Sequence, residues 1–412
     1  MTIRRQPVDF IVRERLTERL LASIHPVSSG PTTHALYELA KTSLSTPEAT
    51  QRLAGLLRVR PGVIEHAGLK DKHAHTFQHV SVPVKAFAQP ALPPQTVEAP
   101  GLSARLIGHI PDPIRAADID ANRFTIVVRD IARPAAHDMR RRAALLAINS
   151  GHAGPLTLRI INYFGDQRFG SARHGEGWVA KHLIRAEFDQ ALRLAIGTPA
   201  RKDTGKKRTF TRLCATHWGD WKRLAVELPR CPERAPIEAL AQNKPPRDAF
   251  AALPHFTQQI CIEAYQSHIW NAAARTLAAQ LASASGHPDA LIRADDPYGL
   301  MLFPHAAAVS PDAEATLMPM PAPSTQPREP WGEALTHALT VEGLTFEDLR
   351  IPGLRRPAFG EAERPLFVQP AGFTLSPPEQ DELARPGRLK VTTEFELPRG
   401  AYATVLLRAL GQ

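Results

Sequence analysis

Apolar and polar positions alternate in a few short runs along this chain and recur at helical spacing in others. Residues 8–16, VDFIVRERL, alternate apolar and charged side chains and predict a strand or strand end. Ser45–Leu57 predicts a helix, with Pro47 in its first turn and an apolar face of Leu53, Leu56 and Leu57. Gly62–Gly68 leads into a polar loop, Lys70–His75, and Val80–Val84 reads as a short strand. Ala88–Gly101 is rich in proline and predicts a loop. Asn122–Arg129, NRFTIVVR, has the β-branched and aromatic content of a strand. Pro134–Asn149 predicts an amphipathic, Arg-bearing helix with Gly151 as its C-cap. Phe256–Leu281 predicts a longer helix with small residues on one side. Ala306–Pro330, rich in Pro, Ala and Ser without periodicity, predicts a long loop or mobile insertion. Val391–Leu397 alternates as a strand, and Ala403–Leu410 suits a further strand or a terminal helix.

Strands therefore cluster near both ends and helices in the middle. This pattern predicts an α+β fold in which the C-terminal segment completes a sheet begun near the N-terminus. The expected division is a domain of residues 1–159 and 351–412, interrupted by an inserted domain of residues 160–350.

Composition narrows the partners. Hydrophobic residues make up 43% and charged residues 22% of 412, which allows a sizeable core. The formal net charge of +9 favours a polyanionic partner, with nucleic acid the first candidate and an anionic small molecule or membrane surface the others. The three cysteines, Cys214, Cys231 and Cys261, are widely spaced and form no Cys-x-x-Cys pair, which argues against a zinc ribbon, a redox dithiol or a disulfide framework. The charged N-terminus lacks the apolar core of a signal peptide, and no apolar run approaches the ~20 residues of a membrane span. A cytoplasmic protein is expected.

The densest chemistry lies in residues 68–78, GLKDKHAHTFQ. Asp71, flanked by Lys70 and Lys72, is a carboxylate that neighbouring cations favour in its ionised form, fit to act as nucleophile or base. A solvated loop with local ion pairs is the alternative. A phosphate-cradling loop is excluded, because Leu69 separates Gly68 from Lys70 and Asp71 follows the lysine. His73 and His75 lack the carboxylate spacing of a metal pair. Asn162–Gly170, NYFGDQRFG, joins aromatics, amides and an arginine in a pattern that suits either base stacking or a packed domain junction. Asn122 and Phe124 can read a pyrimidine edge and stack on its ring, or serve as a turn residue and a core residue. Arg201–Arg212 holds six basic residues, one acid (Asp203) and Phe210, and is a candidate phosphate-contacting patch or a solvated charged loop.

In order along the chain, these segments resemble the TruD family of tRNA pseudouridine synthases. Residues 7–14 (PVDFIVRE) resemble its opening motif, residues 68–78 its catalytic motif, and residues 122–124 its strand motif. Residues 162–170 resemble its Asn-Tyr-Phe-Gly-x-Gln-Arg-Phe-Gly signature, residues 264–271 (AYQSHIWN) its insertion-domain helix, and residues 397–404 (LPRGAYAT) its closing motif. The resemblance implies a pseudouridine synthase catalytic domain with a mixed, mainly antiparallel sheet. It also implies an inserted α/β TRUD domain across a basic cleft, a tRNA substrate modified at position 13, and no metal or organic cofactor. It places the catalytic aspartate at Asp71 and substrate contacts at Phe10, Asn122, Phe124 and Tyr402, with Glu14, Lys70, Lys72, Gln167 and Arg168 in support. The carboxylate would attack C1′ of the ribose or remove the C2′ proton, while the amide and aromatic walls retain the detached base. The target base must first leave its stack. This chain departs from the family pattern at Ile161, His79 and Leu407-Arg408-Ala409, and residues 306–330 match nothing in it. A non-catalytic RNA-binding relative, or a synthase acting on another RNA, are the alternatives. The deaminase Pro-Cys-x-x-Cys pattern and the clustered carboxylates of a two-metal nuclease are absent from the sequence.

Overall fold

The alternating segments near the two termini build one sheet. The computed structural model describes residues 1–26, 33–87, 92–149, 154–172, 175–200 and 203–412. They divide into two compact units, residues 1–160 with 368–412, and residues 161–367. In the first unit the strands are β1 (Phe10–Leu16), β2 (His34–Thr42), β3 (Glu65–His66), β4 (His75–Pro83), β5 (Thr96–Ala99), β6 (Leu102–Ile110), β7 (Ile119–Ile131), β8 (Ala371–Leu375), β9 (Glu379–Gln380) and β10 (Leu389–Pro398). Their order is β8-β10-β7-β1-β4-β2-β6-β5, with β9 beside β10 and β3 beside β4. The β1–β4 pair is parallel, whereas β7, β10, β2 and β6 pair antiparallel with their neighbours. The sheet is thus mixed and mainly antiparallel, and β10 completes it from the far end of the chain.

Local chemistry explains the helices of this unit. Helix α1 (Thr46–Leu57) starts at Ser45, whose side chain accepts from the Glu48 N–H while Glu48 returns the bond to Ser45. It buries Ala49, Leu53, Ala54 and Leu57 against Tyr37, Leu39, Val80, Val82 and Ala104 of the sheet. Helix α2 (Arg133–Leu146) buries Ala136, Met139, Ala143 and Leu146.

Several sequence expectations shift. The strand expected at Val80–Val84 is the end of β4, which begins at His75 and buries Thr76, Gln78, His79 and Ser81; buried polar residues disguise its alternation. Strands β2 and β6 do not stand out in the sequence, because alanine and glycine dilute their pattern. The Pro-rich segment carries edge strand β5, while its residues 88–91 lie outside the described residues. Helix α2 stops at Leu146, because Ala147 turns extended and bridges Leu158; the expected cap Gly151 lies outside the described residues. Residues Ala403–Ala409 are helical.

The second unit contains helices α3 (Gly205–His217), α4 (His255–Ala284) and α5 (Gly332–Val341). Helix α4 is its axis and buries Tyr265, Ile269, Trp270, Ala273 and Ala274 completely. Residues 306–330, expected as a long loop or a mobile insertion, carry short ordered elements. Leu317–Pro319 pairs with Glu363–Pro365, and Met318, Met320 and Ala322 are buried. Side chains of α4 satisfy the carbonyls of this segment: Trp270 Nε1 donates to Met318 O at 3.2 Å and Gln266 Nε2 to Pro321 O at 2.9 Å. The same pairing keeps residues 351–367 in the second unit, so the chain returns to the first unit at Val368, later than the expected residue 351.

A buried ion cluster ties the start of β1 to β7 and to the segment before β10. Arg129, 5% exposed, donates Nε to Asp9 at 2.9 Å and Nη1 to Asp381 at 2.8 Å. Asp381 also accepts from the Asp130 N–H at 2.8 Å. Burial pushes the Asp381 carboxyl up, but the N–H groups of Asp130 and Leu383 and the Arg129 guanidinium outweigh that and hold it below the usual range. Arg129→Met removes the cation and leaves two buried carboxylates facing each other. It is expected to cost roughly 3–5 kcal/mol, read as a lower denaturant midpoint at neutral pH. An unchanged midpoint would show that the cluster adds nothing to stability.

Candidate active site

The parallel register of β1 and β4 sets the site. Ile11, Val12 and Arg13 lie opposite His75, Thr76 and Phe77. The start of β1 and the loop before β4 therefore share one end of the sheet, and that loop carries Asp71. Strand β7 adds Phe124 opposite Val12 and Asn122 opposite Glu14.

The loop is fastened at several points. The Lys70 N–H donates to Thr46 Oγ1 at 2.9 Å, and Thr46 Oγ1 donates to Gln78 Oε1 at 3.0 Å. Lys41 Nζ donates to the Asp71 carbonyl at 2.9 Å. Asp71 Oδ1 accepts from the His73 N–H at 2.9 Å, and Oδ2 pairs with Arg4 Nη2 at 2.8 Å. The Asp71 side chain is only 14% exposed. A carboxylate oriented by donors on both oxygens and open on a small face is equipped to attack a single atom.

Both flanking lysines also form ion pairs with other carboxylates. Lys70 Nζ reaches Glu14 Oε1 at 2.7 Å, and Lys72 Nζ reaches Glu48 Oε1 at 2.9 Å on the surface. Hydrogen bonds from the Ser45 N–H, Lys72 and the Ser45 hydroxyl hold the Glu48 carboxyl at about 2. Arg4 forms an ion pair with Asp71, and sequence reasoning missed it. It lies among other charged residues near the N-terminus, and only the fold brings it to the loop.

Glu14 is the buried counterpart of this arrangement. Its Oε2 accepts from the His79 N–H at 2.7 Å. Burial pushes its carboxyl up, but the His79 side chain, the Lys70 charge and the His79 N–H together hold it below its ordinary value. His79, a departure from the family pattern, thus forms part of the buried network.

Phe10 and Phe124 meet edge to face at 6.1 Å, and Phe124 stacks on Phe395 at 5.3 Å. Both phenylalanines are buried, and the Arg4 guanidinium lies over Phe10 at 4.4 Å. Asn122 Oδ1 is buried and accepts no hydrogen bond from the described residues. Tyr402 lies in the turn after β10, directly before the C-terminal helix, and is half-buried.

Gln167 and Arg168 belong to the second unit. Gln167 is exposed, whereas Arg168 is held by Ser267 Oγ at 3.1 Å and Glu263 Oε2 at 2.8 Å. The surrounding motif is packing: Tyr163, Phe164 and Phe169 are buried, Asn271 clamps the Phe164 backbone, and Arg364 covers the Phe164 ring. In the basic segment, Lys206, Lys207, Arg208 and Arg212 are exposed on α3, whereas Phe210 is buried and Asp203 accepts from Thr211; residues 201 and 202 lie outside the described residues.

The family model for tRNA pseudouridine synthase D (TruD) matches residues 1–410. A probable tRNA pseudouridine synthase D 2 of Methanocaldococcus jannaschii is 26% identical, over 99% of this chain and 91% of its own length. A tRNA pseudouridine synthase D of Aquifex aeolicus is also 26% identical, over 99% and 97%. The crystal structure of a putative tRNA pseudouridine synthase D from Methanosarcina mazei superposes with a TM-score of 0.65, at 22% identity, over 99% of this chain and 92% of that one, a likeness of fold.

The Glu14–Lys70 pair anchors the loop, and a double-mutant cycle measures it. Lys70→Met leaves a buried carboxylate without its cation and is expected to cost roughly 3–5 kcal/mol. Adding Glu14→Gln should recover part of that loss, with a coupling of roughly 0.5–3 kcal/mol in chemical denaturation. Additive losses would exclude the anchor.

Proposed function

This chain belongs to the TruD family of tRNA pseudouridine synthases, isomerases that convert uridine to pseudouridine in tRNA, and we propose that Asp71 is its reacting carboxylate and position 13 its target. The observation that carries the assignment is the Asp71 carboxylate itself, paired with Arg4 at 2.8 Å beside the Phe10–Phe124 aromatic pair. The reaction breaks the N1–C1′ bond, turns the uracil and forms C5–C1′, while C5 gives up its proton and N1 gains one. Composition and oxidation state of the nucleoside are unchanged, so the step calls for no redox partner. A carboxylate that adds to C1′, or one that takes the C2′ proton, must meet the ribose from a pocket that also retains the free base. The buried Asn122 Oδ1, without a donor among the described residues, suits an N–H on the pyrimidine edge. Phe10, Phe124 and Tyr402 supply the walls.

Unmodified tRNA with uridine at position 13, incubated with the protein and a chelator, should yield pseudouridine at that position. Asp71→Asn should fold and bind the same tRNA but form no product. Turnover by this variant would remove Asp71 from the reaction.

The exposed Lys206, Lys207, Arg208 and Arg212 are proposed to contact phosphates. Their joint replacement by glutamine should weaken tRNA binding and flatten the dependence of log Kd on log salt by up to roughly four contacts' worth. An unchanged salt slope would take α3 out of the interface.

A further inference from the structure

Lys41 is a buried cation that nothing above explains. It sits on β2, opposite Thr76 of β4 and Leu102 of β6, and is 1% exposed. Its ammonium donates to two main-chain carbonyls, Leu44 O at 2.7 Å and Asp71 O at 2.9 Å. Among the described residues it forms no ion pair. Burying an ammonium without a contacting carboxylate is expensive, and a neutral donor could bond two carbonyls without that penalty. The charge itself therefore needs a reason.

The surroundings supply one. The charged groups facing Lys41 are Asp71 and Lys70 from the loop and Glu48 from α1; its strand neighbours Thr76 and Leu102 carry no charge. Asp71 and Glu48 attract the ammonium and Lys70 repels it. Attraction is mutual, so the Lys41 charge acts on the Asp71 carboxylate from inside the fold, while Arg4 acts on it by direct contact.

We propose that Lys41 is a positioning residue for Asp71, tying the main chain of the reacting carboxylate to the end of β2 and holding a fixed positive charge beside it. The proposal rests on Asp71 being that carboxylate. It has a consequence in pH. Burial, the largest influence, lowers the Lys41 amine from its ordinary value to about 8. The charge is present below that pH and lost above it, so kcat at saturating tRNA falls as pH rises through about 8.

The test is kcat and tRNA affinity as functions of pH for the wild type, Lys41→Met and Glu48→Gln. Lys41→Met should bind tRNA with an affinity within about twofold of wild type but lose roughly 10–100-fold in kcat at neutral pH, the scale of a small misplacement of a reacting group. Its profile should lack the limb near pH 8. Glu48→Gln removes a charge that favours the ammonium and should move the wild-type limb to lower pH. A wild-type kcat that stays flat through pH 8, or a limb that remains in place in both variants and so belongs to the uridine, would overturn the proposal. Should Lys41→Met fail to fold, the wild-type and Glu48→Gln profiles decide alone. Absence of pseudouridine from the wild-type reaction would instead strike at the proposed function.

Discussion

The site depends on two strands of one sheet running in the same direction. Parallel neighbours cannot be joined by a tight turn, so the chain between β1 and β4 must make a long excursion. Here that excursion includes β2, α1 and the Asp71 loop, all of which return to the end of the sheet where β1 begins. A loop at the close of such a crossover would slide if the ladder alone held it. The Lys70–Glu14 pair prevents this, since Glu14 is buried on β1 and Lys70 belongs to the loop. Separating them would leave one charge in the interior, a larger penalty than the loss of an exposed pair. Thr46, Gln78 and the His79 N–H complete the fastening.

Charge in this protein follows a division that its composition hides. A net charge of +9 is equally consistent with a uniformly basic surface. In the structure, Arg129, Lys70 and Arg168 are engaged with carboxylates inside their own units. The exposed cations of α3 face solvent. A phosphate can recruit the exposed Lys206 and Arg212 at low cost, whereas Arg208 also donates Nε to the carbonyl of buried Asp203 at 2.7 Å. Recruiting Arg129, Lys70 or Arg168 would break an internal pair. Basic residues in conspicuous motifs are therefore not the first place to look for RNA contacts: Arg168 is such a residue, and it holds α4.

How much could be read from the sequence follows from the range of each interaction. The Asp71 loop, α1 with its Ser45 cap, and strands β1, β7 and β10 were legible because their signals are local: a cap, an alternation, a cluster of charge. The aromatic pair Phe10–Phe124 was legible only through family resemblance, since each phenylalanine alone reads as core. Arg4 and Lys41 were not legible. Their positions matter through contacts with residue 71, and neither spacing nor periodicity carries information over that separation. Residues 306–330 misled for the opposite reason. Proline, alanine and serine lack a pattern of their own, yet Trp270 and Gln266 supply the order by capturing carbonyls of the segment.

Arg4 shows why residue type matters at this end of the sheet. Its guanidinium lies over the Phe10 ring while one nitrogen reaches Asp71. A planar, delocalised cation can stack on a ring and donate in its own plane at once; an ammonium on a flexible stem would sacrifice one contact to optimise the other. The aromatic wall and the carboxylate are thereby set by the same side chain, so a shift of one moves the other. The segment before β1 is held in turn at Asp9, which accepts from Gln6 N–H and from Arg129. The buried cluster around Arg129 thus supports more than stability. Through Asp9 it fixes the residues that carry Arg4 and Phe10, and it passes the rigidity of the sheet to the carboxylate proposed to react.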